Sequence, residues 1–129
     1  MAPIASSRST DVPDPQPVLV VISADPRTTG RAFEAMRIGV GVVAGENEVT
    51  FVLRGPAVHL LDADTDDLVD GDDIAKFRDN LKRLEVPFHV EAEAIPADPD
   101  WNEGGHPIVK VSRAEIGALL RAGRRFIVF

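Results

Sequence analysis

Residues 18–53 constrain the fold more than any other part of the chain, because they predict a strand, a helix and a second strand in succession. Val18–Ile22 is an unbroken apolar run rich in β-branched residues, which is typical of a strand buried on both faces. A turn-forming segment, Ser23–Gly30, follows it, and the apolar spacing then predicts a helix over Arg31–Ala44. Val49–Leu53 is the second strand. The sequence therefore predicts a right-handed βαβ unit.

The Arg31–Ala44 helix carries two apolar stripes, one of larger side chains and one of small ones. These are Phe33, Met36, Val40 and Val43, and Ala32, Ala35, Gly39 and Val42. A helix that covers one sheet face needs a single apolar stripe, so the second has to be covered by another helix or by another chain. Few elements remain for this in a domain of 129 residues. The pattern predicts a homo-oligomer with the small-residue stripe as its contact surface.

The segments that follow extend this unit to a five-stranded sheet. An amphipathic helix is expected over Asp73–Glu85, and the spacing of Ser112 and Glu115 predicts a capping box that opens a last helix, ending at Gly123. Ala57–Leu61 is too short to decide between a helical turn and an edge strand. Three further strands are expected, at Val86–Ala94, Pro107–Val111 and Phe126–Phe129. The predicted class is α/β, a three-layer α/β/α sandwich with a largely parallel sheet over residues 18–129.

The acidic stretch Asp62–Asp73 has two interpretations. Its aspartates have roughly the rhythm of a calcium-binding loop, but Asp67 stands where that loop needs Gly, and Asp73 where a bidentate Glu is usual. A solvated loop that ends in an N-cap at Asp72 is the simpler interpretation. The helix after it is expected to turn four residues inward: Ile74, Phe77, Leu81 and Leu84.

Composition and charge exclude several classes of function. The formal net charge of −7 argues against binding to nucleic acid or to an anionic membrane, because both partners attract clustered Lys and Arg. The sequence contains no cysteine, which removes thiolate catalysis and cysteine-ligated metal sites. No apolar stretch approaches the ~20 residues of a membrane span, so a cytoplasmic protein is expected. The Pro- and Ser-rich segment 1–17 is expected to be a disordered arm, or else an arm packed on a neighbouring subunit.

Two places are candidates for binding a ligand. The Ser23–Arg31 loop joins the end of a strand to the start of a helix, where small anions bind in such sheets, and it contains Asp25, Arg27, Thr28 and Arg31. The second place is the polar side of the Val86–Ala94 strand, where His89, Glu91 and Glu93 share one face. Neighbours on that face are ~7 Å apart, which is wide for one metal ion, so an ordinary half-exposed strand is the simpler interpretation. No cofactor and no catalytic residue are predicted.

Taken together, these segments resemble the DsrE-like sulfur-relay family, whose members include subunits of tRNA-thiolation and sulfur-oxidation relays. The resemblance covers nearly everything from residue 18 onward, and it is carried by Val18–Ile22 with Asp25-Pro26-Arg27 and by the alanine-rich Arg31–Ala44 helix. Three further parts add to it: Val49–Leu53 with Gly55 and Val58, the Phe77–Leu84 helix with the Val86–Ala92 strand, and the closing Arg125–Phe129. It implies a DsrEFH-like α/β/α fold with a largely parallel five-stranded sheet. It also implies assembly into dimers, trimers or hexamers.

One departure from the family bears on function. Active members carry a persulfide-accepting cysteine at the end of the strand that here is Phe88–Glu91, and by that comparison Glu91 takes its place. A carboxylate cannot accept sulfane sulfur, because that chemistry needs an attacking thiolate. The resemblance therefore implies a non-catalytic subunit, an oligomeric scaffold or a binding subunit in sulfur handling. The alternative is a small-ligand or metal-binding protein, or an enzyme, that uses a cleft between the Ser23–Arg31 loop and the His89/Glu91 strand face.

Overall fold

A computed structural model describes residues 18–45, 48–122 and 125–129. Five strands and three α-helices alternate along them: β1 (Val18–Ile22), α1 (Arg31–Ala44), β2 (Val49–Leu53), α2 (Gly71–Arg83), β3 (Phe88–Glu91), β4 (Ile108–Val111), α3 (Arg113–Arg121) and β5 (Arg125–Val128). Two 3₁₀ helices, Gly55–Leu61 and Ala92–Ala94, complete the fold. The predicted arm, residues 1–17, and the predicted helix end at Gly123 lie outside the described residues.

The five strands form one sheet in the order β4-β3-β2-β1-β5, and every neighbouring pair is parallel. The chain steps from β1 to β4 in one direction and then returns to place β5 beside β1. Because crossovers in parallel sheets are right-handed, that reversal puts the last helix on the opposite face. One core cluster accordingly joins α1 and α2 to the sheet, and a smaller one joins α3 to Leu19, Val21 and Val52. The three-layer sandwich with a parallel sheet is confirmed.

Helix α1 differs from the prediction because both of its stripes contribute to the core: Met36 of the larger stripe is fully buried, and so are most of the small residues. The small residues Ala32, Ala35 and Gly39 are buried, and a Cβ built on Gly39 would overlap the ring of Phe51 in β2. The reason is that small side chains let α1 lie close to the sheet. Phe33 of the larger stripe turns sideways instead and stacks on Phe77 of α2, with ring centroids 5.7 Å apart. The prediction of an exposed small-residue stripe as an oligomer contact is therefore wrong.

Helix α2 begins and ends two residues earlier than expected. The N-cap position is Asp70, in the left-handed region with φ 59°, and not Asp72. The preceding loop closes tightly on the helix start, since a Cβ on Gly71 would overlap the carbonyl oxygen of Thr65. At the other end the helix finishes at Arg83, so Leu84 lies beyond its last turn and is 57% exposed rather than buried.

In two further segments the observed secondary structure differs from what the sequence predicts. Ala57–Leu61 is part of a 3₁₀ helix, whose start Pro56 favours, and it buries four apolar residues of that segment. The predicted strand Val86–Ala94 is paired only over Phe88–Glu91, because its neighbour β4 ends in register with Glu91 at Val111. Glu93 consequently lies in the short 3₁₀ helix and not on the strand face.

The connection from β3 to β4 is anchored to the α1/α2 side of the sheet. The indole N–H of Trp101 donates to the carbonyl of Val58 at 2.8 Å. Asn102 and His106 bond to each other twice through the amide side chain of Asn102 and the main chain of His106. The His106 ring is buried against Phe88 and donates from Nε2 to the carbonyl of Val86 at 3.0 Å.

We predict that this histidine makes the stability of the fold depend on pH. Burial lowers the pKa of His106, and the cations of Arg78 and Lys82 act in the same direction against the bond to Val86. The unfolded chain therefore takes up the proton first, so stability is full above about pH 6.5 and is lost as the pH falls below it, by up to about 1.4 kcal/mol per pH unit. Urea unfolding of wild type and His106→Gln at pH 7.5 and 5.5 tests this. The advantage of wild type should shrink at pH 5.5, and an advantage independent of pH would contradict the prediction.

Among the described residues, no helix is both long and apolar enough to cross a membrane.

Candidate functional site

The carboxyl ends of the strands form an open, mostly polar cavity of about 320 Å³. Its lining follows four different strands: Ser23 after β1, Arg54, Gly55 and Pro56 after β2, Glu91 at the end of β3, and Arg113 just after β4. We call it the Glu91 pocket. Beyond β3 the chain crosses the α1/α2 face of the sheet, and beyond β4 it enters α3 on the opposite face. A crevice opens where such connections diverge, which is the usual ligand position in α/β sheets.

Glu91 is the buried centre of this pocket. Its side chain is 6% exposed, and each carboxylate oxygen accepts one hydrogen bond from the protein. The backbone N–H of Gly55 donates to Oε1 at 2.8 Å, and Nε of Arg113 donates to Oε2 at 2.9 Å. Val90 pairs with Leu53, the last residue of β2, so Glu91 lies one residue beyond the end of β2, where the N–H of Gly55 reaches it. A buried carboxylate with two fixed donors is a rigid part of the site.

The pocket carries one negative and two positive side chains. The hydrogen bond from Gly55 holds the pKa of Glu91 below its usual range, and Arg113 and Arg54 lower it further, so the residue is a carboxylate at neutral pH. Arg113 is the first residue of α3 and is 78% exposed, so it covers a buried acid from the solvent side. The start of α3 adds the positive end of a helix dipole. The balance of charge in the pocket is positive.

Arg54 differs from Arg113 in having no fixed partner. Its guanidinium is half-buried and forms no hydrogen bond and no ion pair within residues 18–45, 48–122 and 125–129. It acts on Glu91 only through its charge. A guanidinium with five unused donors beside a polar cavity is well suited to an oxyanion, which it can bind with two parallel hydrogen bonds.

The predicted residues of the Ser23–Arg31 loop do not line the Glu91 pocket, except that Ser23 at the loop's start does. Asp25 and Arg27 bind each other through two hydrogen bonds of 3.0 Å, and this pairing with Arg27 lowers the pKa of Asp25. The N–H of Thr28 donates to the carbonyl of Asp25, and the N–H of Arg31 to the hydroxyl of Thr29. The loop is thus a set of internally bonded turns, and a ligand there remains a prediction.

His89 shares a sheet face with Glu91 but lines a different cavity. That cavity has a volume of about 420 Å³, is mostly apolar, and lies between β3, β4 and α3. The structure therefore separates the two strand residues that the sequence placed in one cleft. Among the described residues, no group of three or more His, Cys, Asp or Glu side chains is placed to hold a metal ion.

Sequence reasoning missed the two arginines of the pocket. Arg54 directly follows the predicted strand Val49–Leu53, and Arg113 lies two residues beyond Val111. Both positions follow the carboxyl ends of parallel strands, where ligands bind, so the signal was present in the sequence. Arg54 precedes the turn-forming pair Gly55-Pro56, and Arg113 lies within the predicted capping box, which the structure confirms, so each position also has a purely structural interpretation.

A known structure shares this fold. The crystal structure of the ychN protein from E. coli superposes with a TM-score of 0.69 over 88% of this chain and 99% of that one, at 15% sequence identity. At this identity the similarity shows the fold alone. No protein-family description and no curated protein matches the sequence.

Proposed function

We propose that this chain is a non-catalytic, DsrE-like binding subunit that holds a small anionic ligand in the Glu91 pocket and assembles as a homo-oligomer. The main observation in favour of a bound anion is the half-buried, unpaired guanidinium of Arg54 beside the Glu91–Arg113 ion pair. The family resemblance supports the placement among DsrE-like subunits, and the fold shared with ychN is compatible with it. A place in sulfur handling rests on the resemblance alone.

The charges of the pocket favour an anion over a metal ion. Two arginines outweigh one carboxylate, and that carboxylate already accepts hydrogen bonds from Gly55 and Arg113 on both oxygens. A cation would have to displace these donors and would meet two like charges. An oxyanion meets Arg54, the terminal nitrogens of Arg113 and the N-terminus of α3, each of which attracts it.

Titration calorimetry with inorganic phosphate and sulfate tests the proposal. We predict saturable binding to the wild-type protein and at least tenfold weaker binding to Arg54→Gln, because a hydrogen-bonded charge contributes about 1.5–3 kcal/mol. The matched control is Arg31→Gln, which removes a cation from the alternative site in the Ser23–Arg31 loop and should leave binding unchanged. No binding to wild type, or binding lost in Arg31→Gln and kept in Arg54→Gln, would contradict the proposed site.

The homo-oligomer is supported by strand β5. Within the described residues β5 is an outer strand of the sheet, and it exposes apolar side chains on both faces: Phe126 and Val128, each 50% exposed, on one, and Ile127, 38% exposed, on the other. Phe126 and Ile127 also line an open groove with Val18 of β1 and Val42 of α1. Outer strands of monomeric proteins usually carry charges or proline that prevent pairing, and in β5 Arg125 at its start is the one charged residue.

The hydrogen-bonding pattern of β5 fits pairing with a second copy. The N–H of Phe129 donates to Val21 in β1, and its C=O accepts from Ser23 and Ala24 just after β1. Because the main-chain groups of successive strand residues point alternately to the two sides, the N–H and C=O groups of Phe126 and Val128 point away from β1. In a two-fold antiparallel pair centred on Ile127, Phe126 of one copy lies opposite Val128 of the other. Those residues then exchange main-chain hydrogen bonds, and aromatic and β-branched side chains are favourable partners across strands. A two-fold pair of this kind is closed, as most homo-oligomers are.

A further inference from the structure

We infer that the ligand of the Glu91 pocket is a small hydroxylated anion, with one carboxylate or phosphate group for the arginines and one O–H group for Glu91. This inference rests on the proposed ligand-binding function and adds the chemical class of the ligand. It follows from the acceptor capacity of Glu91, from its charge, and from the size of the pocket.

The Glu91 carboxylate can accept more hydrogen bonds than the protein supplies. A carboxylate has about four lone-pair positions, and the protein supplies one donor to each oxygen, from Gly55 and from Arg113. The carboxylate lines the cavity, so a bound molecule can reach the remaining positions. A ligand with a hydrogen-bond donor completes the coordination of this buried group. One without a donor leaves acceptor sites of a buried charge unsatisfied, which is costly.

A bound anion and Glu91 carry charges of the same sign and repel each other. An anion that binds Arg54 and Arg113 also lies near the Glu91 carboxylate, and like charges at such short range repel each other. An O–H group placed between the two negative groups replaces repulsion with a charge-assisted hydrogen bond. The pocket should therefore discriminate between anions according to whether they carry that group.

The net charge of the pocket favours an uncharged hydrogen-bond donor on the ligand. Arg54, Arg113 and Glu91 sum to one positive charge, which a carboxylate neutralises and a phosphate monoester more than offsets. A hydroxyl group adds a donor without adding charge. An ammonium group would leave the positive excess in place, so the balance favours a hydroxylated anion over an amino acid. A cavity of about 320 Å³ lies at the small end of ligand sites, which agrees with a compact molecule.

Matched ligand pairs test the inference by calorimetry on the wild-type chain. Lactate and isobutyrate differ by a hydroxyl in place of a methyl group, and glycerol 3-phosphate and propyl phosphate differ by hydroxyl groups on the same carbon chain. We predict that the hydroxylated member binds about 10- to 100-fold tighter in one pair or both, the range that a hydrogen bond to a charged group gives. The two pairs separate a carboxylate from a phosphate ligand.

The Glu91→Gln variant assigns the preference to Glu91. Gln has nearly the same size but no charge, so the hydroxylated member should lose most of its advantage while simple anions bind as well as before or better. Equal binding of both members of each pair to wild type would overturn the inference. A preference for the hydroxylated member that Glu91→Gln retains would overturn it as well. Either result would leave the proposed anion site intact. Absence of binding by all four compounds would overturn it as well. If inorganic phosphate and sulfate also fail to bind, the proposed function fails with it.

Discussion

Ile127→Glu is expected to convert the proposed oligomer into a monomer with a mass near 13.9 kDa. In the proposed pair of β5 strands, Ile127 lies on the two-fold axis and faces its own copy in a non-hydrogen-bonded position, where side chains are only about 4.5–5.5 Å apart. Glu at this position puts two carboxylates directly opposite each other. The side chain is 38% exposed in the single chain, so the substitution should disturb the folded domain little. Size exclusion coupled to light scattering at micromolar concentration measures the mass.

The matched control for this substitution lies at the opposite edge of the sheet. Val109 of β4 is also in an outer strand and is 42% exposed. Val109→Glu introduces the same charge into the same kind of strand, and we expect the oligomer to survive it. A wild-type protein that is already monomeric would reject the oligomer. An oligomer that persists in Ile127→Glu and dissociates in Val109→Glu would show that the contact lies at the β4 edge and not at β5.

Gly39→Val is expected to destabilise the fold by about 3 kcal/mol or more, and to lower the melting temperature by about 10 °C. Even one additional carbon on Gly39 overlaps the ring of Phe51. That ring cannot move aside easily, because it is fully buried and packs edge-on against Phe88 at 5.4 Å. Helix α1 would have to lift off the sheet, and its contacts with β1 and β2 would loosen together.

Gly41→Val separates this overlap from the helix propensity of valine. Gly41 lies in the same helix, is exposed, and has no atom within 4 Å of an added Cβ. Both substitutions change the helix propensity by the same amount, because each replaces glycine with valine inside a helix. The difference in the free energy of unfolding between the two variants therefore measures the overlap with Phe51. Urea unfolding of both gives that difference. Two variants of equal stability would mean that α1 does not lie on the sheet through its small residues.

The strands and the capped helix could be predicted because their signals are local. The apolar run of β1 and the Ser112–Glu115 capping box depend on neighbouring residues in the sequence, and the structure has both. The stripes of α1 were also found, but periodicity does not state which stripe meets which neighbour. That choice depended on the Phe51 ring, which needs a glycine opposite it, and on Phe77, which attracts Phe33. Both are contacts between distant parts of the chain.

In the candidate site, too, local signals can be predicted from the sequence and contacts between distant residues cannot. Glu91 was identified from the alternation of one strand, and its location at a strand end is local information. Its partners Gly55 and Arg113 are 36 and 22 residues away in sequence, and only the sheet order brings them together. The loop residues Asp25 and Arg27 have the right types for an anion site, but they satisfy each other. Residue type without tertiary contacts could not distinguish a paired arginine from the unpaired Arg54.

The central claim is that the Glu91 pocket binds a small anion, and the amide resonance of Gly55 tests it most directly. This N–H bonds to Glu91 and lies in the lining of the pocket, so it responds to a ligand without any substitution. In ¹H–¹⁵N spectra recorded during a phosphate titration, we predict a saturable shift of Gly55 and of the Arg54 and Arg113 side-chain N–H signals, with Arg31 unchanged. Gly55 and both arginines remaining at their starting positions while phosphate reaches tens of millimolar would contradict the account.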